Sequence, residues 1–113
     1  MGEGEIADVF AAFGPVRTRR MFGGIGIYAN DVMFALAAYG EIYLKADFRS
    51  QPAFAEAGSR PFVYEKEGRK TTTSFWLLPV DPYEDPLEVA RWARIALDAA
   101  KRKPPKPARP ARR

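Results

Sequence analysis

Lysines, arginines, tyrosines, hydroxyls and carboxylates carry all the reactive chemistry this sequence can offer, because its 113 residues include neither cysteine nor histidine. That composition removes disulfides, thiolate nucleophiles, zinc ribbons and imidazole bases together. A metal would need an oxygen site for a hard cation, and no carboxylate spacing resembles an EF-hand loop. The expectation is no metal, no cofactor and no catalytic residue. Four groups of residues bear on that expectation. Residues 24–29, GIGIYA, match a loose dinucleotide fingerprint. That chemistry needs the glycines in a loop that opens a helix; here Asn30-Asp31 follows and then another apolar strand. Residues 71–76, TTTSFW, put hydroxyls beside aromatics, but a hydroxyl nucleophile needs a base and an oxyanion site, and strand propensity explains the run better. Arg17, Arg19 and Arg20, with Lys45 and Arg49, make a candidate anion-binding cluster. Arg19, Arg20 and Lys45 are its members of interest, although Arg17 and Arg19 should share one side of an extended segment and Arg20 the other. Tyr43 and Lys45, with nearby carboxylates, are the residues through which an enzyme or a small-molecule sensor would work.

Charge divides the chain. The last thirteen residues, KRKPPKPARPARR, hold seven basic residues and no acid, whereas the preceding hundred hold eleven basic and fourteen acidic. A mildly acidic globule over residues 1–102 therefore precedes a basic, proline-rich and disordered tail over 103–113; prolines forbid a regular helix there. Lys101, Arg102, Lys103, Lys106, Arg109, Arg112 and Arg113 are candidate nucleic-acid contacts. They would be salt-sensitive and indifferent to sequence, and no aromatic is present among them to stack on bases. The plainer reading is a solubilising extension. The acidic start, MGEGEIADVF, is unlike a signal peptide, and no apolar run approaches the roughly 20 residues that span a bilayer. A cytoplasmic protein without membrane contact is expected.

The elements that must position these residues follow from periodicity. Ile6, Val9, Phe10 and Phe13 lie at helical spacing before the stop at Gly14-Pro15. SQPAFAEAG, with Ser50 as cap and Pro52 in the first turn, reads as a short helix. The last helix is the best signposted: Asp85 caps it, Pro86 opens it, and Val89, Trp92, Ala93, Ala96, Leu97 and Ala100 form one stripe. Between the helices lie strands, with turns at Asn30-Asp31, Gly40 and Glu67-Gly68. The expected fold is a two-layer α+β domain: an antiparallel five-stranded sheet with three helices, in the order α-β-β-β-α-β-β-α.

A two-residue turn at Asn30-Asp31 sets a register. It pairs Ile27 with Phe34, Gly26 with Ala35, Ile25 with Leu36 and Gly24 with Ala37. One side then carries Ile25, Ile27, Ala29, Val32, Phe34 and Leu36. The other carries Gly24, Gly26, Ala35 and Ala37, with Tyr28 and Met33 at its end. Such a side, apolar but nearly without side chains, is unlike an ordinary solvated strand face. A helix of the same chain, the first for instance, a second subunit or a flat ligand should lie close against it. These six residues form the candidate interaction face, with a protein partner or a homodimer as its occupant.

RRMFGGIGIYANDVMFAL, IYLKAD, PFVYE, SFWLLP and LEVARWARIALDAAK, within residues 5–102, resemble the N-terminal domain of the TfoX (Sxy) competence regulators. The resemblance implies an α+β domain with an antiparallel sheet. It also implies a role in switching on DNA-uptake genes alongside a cyclic-AMP-dependent activator, and it assigns no catalytic or ligand residue. Members often carry a further C-terminal helical domain, where this chain has its basic tail, so a stand-alone form is expected. The function expected is a non-enzymatic regulatory or interaction module; the alternatives are a DNA-associated accessory protein using the tail, or a small-molecule sensor.

Overall fold

The computed structural model describes residues 1–21 and 23–102. Three helices, α1 (Glu3–Val9), α2 (Gln51–Glu56) and α3 (Pro86–Lys101), pack on one face of an antiparallel sheet. Its strands are β1 (Arg17–Met21), β2 (Gly24–Ala29), β3 (Val32–Ala38), β4 (Glu41–Lys45), β5 (Pro61–Lys66) and β6 (Arg69–Leu77). Their order across the sheet is β1-β2-β3-β4-β6-β5. The sheet thus has six strands rather than the expected five. The segment read as one glycine-bearing strand is a hairpin, in which Met21 pairs with Gly24. Gly23, at φ +77°, lets the chain reverse between them.

Three tight turns place consecutive residues at positive φ, the backbone of a type I′ hairpin. They are Asn30-Asp31 (52° and 63°), Tyr39-Gly40 (53° and 75°) and Glu67-Gly68 (53° and 79°). The first two match the strand twist and fold β2, β3 and β4 into a meander. The core lies between the layers. Ile6, Val9 and Phe10 come from the α1 region, Phe54 from α2, and Val89, Trp92, Ala93, Ala96 and Leu97 from α3. Ile27, Phe34, Ala35, Ala37, Ile42 and Leu44 face them from the sheet. Phe10 meets Phe34 edge-on at 5.3 Å between centroids. α1 is shorter than its periodicity indicated. It ends at Val9, and the amides of Phe13 and Gly14 both return to the Phe10 carbonyl.

α3 forms as its signals require. The Asp85 side chain accepts from the Glu88 amide, with Pro86 in the first turn. α2 does not. Ser50 makes no side-chain cap to it and sits in helical backbone itself. The cap is Asp47, three residues earlier. Its Oδ1 accepts from the Ser50 amide at 3.0 Å, and Ser50 Oγ accepts from the Asp47 amide at 3.0 Å. This is a reciprocal capping box one turn upstream.

Arg102 grips the same carboxylate through two nitrogens, at 2.6 and 2.9 Å, tying the end of α3 to the start of α2. The Arg102 guanidinium, followed by the Ser50 donors, holds Asp47 well below the usual carboxylate range against the opposing effect of burial. A depressed folded-state pKa stabilises the fold above the unfolded value, near pH 4, and that contribution is lost as pH falls towards the folded one. Asp47→Ala should therefore cost about 1–2 kcal/mol at neutral pH, the range of a lost cap. It should also flatten the fall of Tm below about pH 4, which thermal melts across pH will check.

Candidate functional site

With all three helices on one face, the other face of the sheet carries side chains that no helix covers. Its composition depends on a bulge. Near the turn, Ala29 pairs with Val32 and Tyr28 with Met33, as expected; beyond a shift there, Ile27 pairs with Ala35, Gly26 with Leu36 and Ile25 with Ala37. Phe34 is the additional residue. Phe34 and Ala35 therefore both reach the core, and every later β3 side chain swaps sides. This corrects the candidate interaction face. Ala35 and Ala37 are core residues beneath α3, at 0% and 5% exposure, while Leu36 stands on the open face with Gly24, Gly26, Tyr28 and Met33.

The alanines do receive a helix, α3 rather than α1, with its own buried Ala93 and Ala96 in the same core. Within the chain, what approaches Gly26 is not a helix. A Cβ there would lie 3.1 Å from the Met21 methyl and 3.2 Å from the Met33 methyl, so two flexible thioethers fill the space. At Gly24 a Cβ would lie 2.7 Å from the Ala37 carbonyl oxygen, which is backbone and cannot swing away. Gly24→Ala should thus destabilise by about 1–3 kcal/mol, the cost of forcing an overpacked site apart, whereas Gly26→Ala should cost less than about 1. Denaturant melts of the two variants will give the ranking.

The sheet curls across β4, and a cavity of about 470 Å³ opens between its two halves. Met21, Gly23, Gly24, Leu36, Ala38 and Tyr39 form one wall; Phe62, Tyr64, Lys66, Thr71 and Thr73 form the other. Phe62 is buried between the Tyr43 ring, at 4.7 Å, and the Tyr39 ring, at 6.1 Å. Burial, and after it the charge of Glu41, push the Tyr43 hydroxyl above its ordinary value. Thr73 Oγ1 donates to the Phe62 carbonyl at 2.8 Å and accepts from the Phe75 amide at 3.2 Å. It thereby satisfies backbone groups where the β5–β6 register shifts.

Tyr43 and Lys45 share the open face but lie outside the cavity lining. Lys45 Nζ donates to Ser74 Oγ at 2.7 Å and sits 5.4 Å from the Phe75 ring centroid. The candidate anion cluster is not assembled. Arg19 pairs across from Gly26 on the open face, Arg20 across from Ile25 on the opposite side, and Lys45 stands three strands away, roughly 14 Å by strand spacing. Arg17 forms an exposed pair with Asp31 at 3.5 Å, a contact of little energetic consequence. Among the candidate nucleic-acid residues, Arg102 is engaged by Asp47 and Lys101 closes α3. Lys103, Lys106, Arg109, Arg112 and Arg113 lie outside the described residues.

Sequence reasoning missed Leu36, Tyr39, Phe62, Tyr64 and Lys66. The signal for three of them was present, since Phe62, Tyr64 and Lys66 alternate along one strand. Among the described residues no acidic trio stands close enough to hold a metal ion, and no helix is long and apolar enough to cross a membrane.

Two curated proteins are similar to this chain. Protein Sxy of Escherichia coli K12 is 27% identical over 93 residues, covering 82% of this chain and 44% of Sxy. DNA transformation protein TfoX1 of Aliivibrio fischeri is 30% identical over 63 residues, covering 56% of this chain and 30% of TfoX1. The chain thus matches less than half the length of either relative. The model of the TfoX N-terminal domain matches residues 8–100, from within α1 almost to the end of α3, and the chain belongs to that family.

Proposed function

We propose that this chain is a regulatory module that alters gene expression, with DNA-uptake genes as the first candidates, by contact with a protein partner rather than by catalysing a reaction. The observation that carries this reading is the open sheet face. The helices are all spent on the core side, while Leu36, Tyr39 and Tyr64 line a cavity on the open face and Tyr28 and Met33 stand on that face outside the lining. Membership of the TfoX N-terminal domain family supports it, as does a relative named for DNA transformation. Aromatic and methionine side chains on a curved apolar surface are the composition that protein interfaces favour at their centres. A second copy of the chain is the alternative occupant, which light scattering in solution will reveal as a doubled mass.

Deleting the gene in its host and sequencing the transcripts tests the regulatory reading. A changed set of DNA-uptake transcripts, restored on complementation, is the expected result. An unchanged profile under conditions where the gene is expressed contradicts it.

A further inference from the structure

We propose that the cavity between the two halves of the sheet is a binding site for a small, planar, apolar carboxylate. Its volume of about 470 Å³ lies within the usual range of small-molecule sites, roughly 300–1,000 Å³. Its walls are of the type such sites use: Leu36, Ala38, Phe62 and the rings of Tyr39 and Tyr64, with few polar groups among them. At Gly23 no side chain intervenes and a Cβ would meet nothing within 4 Å, so a flat ring can lie against the backbone there.

Charge selects the ligand's sign. Lys66 is the one charged residue of the lining, no carboxylate shares it, and among the described residues no carboxylate lies within ion-pair distance of Lys66. A ligand carboxylate would meet an ammonium there and the Thr71 hydroxyl beside it; the Thr73 hydroxyl is already committed to the Phe62 carbonyl.

Tyr39 gives the second, independent observation. It occupies the first central position of a type I′ turn at φ +53°, where asparagine, aspartate or glycine belongs and a bulky side chain is strained. Its ring nevertheless stands 84% exposed, so burial within the fold does not offset that strain. The ring lines the cavity at its rim, 6.1 Å from Phe62. Strain kept at a rim, with one tilted ring contact to Phe62 in return and most of the residue exposed, points to use by a ligand. A flat apolar molecule between Tyr39 and Tyr64 would bury both rings, and the aromatic stacking would complement the contact to Lys66. This inference goes beyond protein docking and does not depend on it, because the test uses the isolated chain.

The experiment is a titration followed by amide NMR, with 2-naphthoate as the anionic probe and 2-naphthalenemethanol as its neutral counterpart. The Gly23, Gly24, Ala38 and Thr71 amides should shift with both probes, and 2-naphthoate should bind more tightly. Lys66→Gln should weaken 2-naphthoate about tenfold, as expected for a lost charged hydrogen bond, and leave the alcohol within about twofold. Tyr39→Asn creates the favoured Asn-Gly turn pair, so it should raise Tm while weakening both probes about fivefold or more. Three results would each overturn the proposal: these amides unmoved at about 1 mM probe, shifts confined to the helical face, or either variant binding both probes as the unmodified chain does.

Discussion

Ala35→Asp should unfold this domain, whereas Leu36→Asp should leave it folded. The two residues are neighbours, and the bulge alone decides which of them is in the core. Ala35 is fully buried beneath α3, paired with Ile27 and Leu44. A carboxylate there would be an unpaired buried charge, costing about 3–5 kcal/mol or more, against a total stability of about 5–15 for a typical domain. Leu36 stands on the open face across from Gly26 and Tyr43, only half-buried. Losing its apolar contact should cost about 1–2 kcal/mol. Circular dichroism and a thermal melt of each variant will decide. An uninterrupted register from the Asn30-Asp31 turn would reverse the outcome, with Leu36→Asp the damaging change.

Phe54→Ala should be the most destabilising truncation among the helix residues that face the sheet. Phe54 is the buried side chain of α2 and is fully enclosed. Its ring lies 4.8 Å from that of Trp92 on α3 and 6.2 Å from that of Trp76 on β6, so one side chain fastens three elements. Large-to-small changes of this kind cost about 3–5 kcal/mol, since the cavity adds to the lost transfer energy. A drop in Tm of at least about 10 °C should follow. A helix of six residues has little stability of its own, so α2 should loosen first. Its amides should then exchange faster than those of α3, which hydrogen exchange will report. A cost below about 1 kcal/mol would show that α2 is held by other means.

The parts of the fold legible in the sequence were those written in local chemistry. α3 announces itself through Asp85, Pro86 and an apolar stripe, and it forms as those residues require. The turns read at Asn30-Asp31 and near Glu67-Gly68 are found there, the first on two residues suited to positive φ and the second on Gly68. The errors arose where tertiary packing overrides the local pattern. β1 and β2 read as one segment because no familiar turn dipeptide separates Met21 from Gly24 in the sequence. The bulge at Phe34 left no mark in an alternating apolar run, since Phe34, Ala35 and Leu36 are all apolar and either register buries a plausible set. Ser50 looked like a cap because the preceding turn, with Asp47 as its true cap, is invisible to helical periodicity.

The candidate site was half legible for the same reason. Gly24, Gly26, Tyr28 and Met33 were placed correctly on one side, and the alanines followed the wrong register. The cavity itself arises from the curl of the sheet, which brings Phe62 and Tyr64 of β5 opposite Gly24 and Leu36 of β2 and β3. No spacing along the chain encodes that meeting. Tyr39 was the one local clue, an aromatic in a turn position meant for a smaller residue.

The most direct measurement is complementation of the host deletion strain with two folded variants, Leu36→Asp on the open face and Glu56→Ala on the exposed side of α2. Expression and melting are matched first, and transcripts are then compared. Failure of Leu36→Asp to restore the profile, with Glu56→Ala restoring it, is what a working open face predicts. Full restoration by Leu36→Asp would contradict it and move the search to the helical side of the molecule.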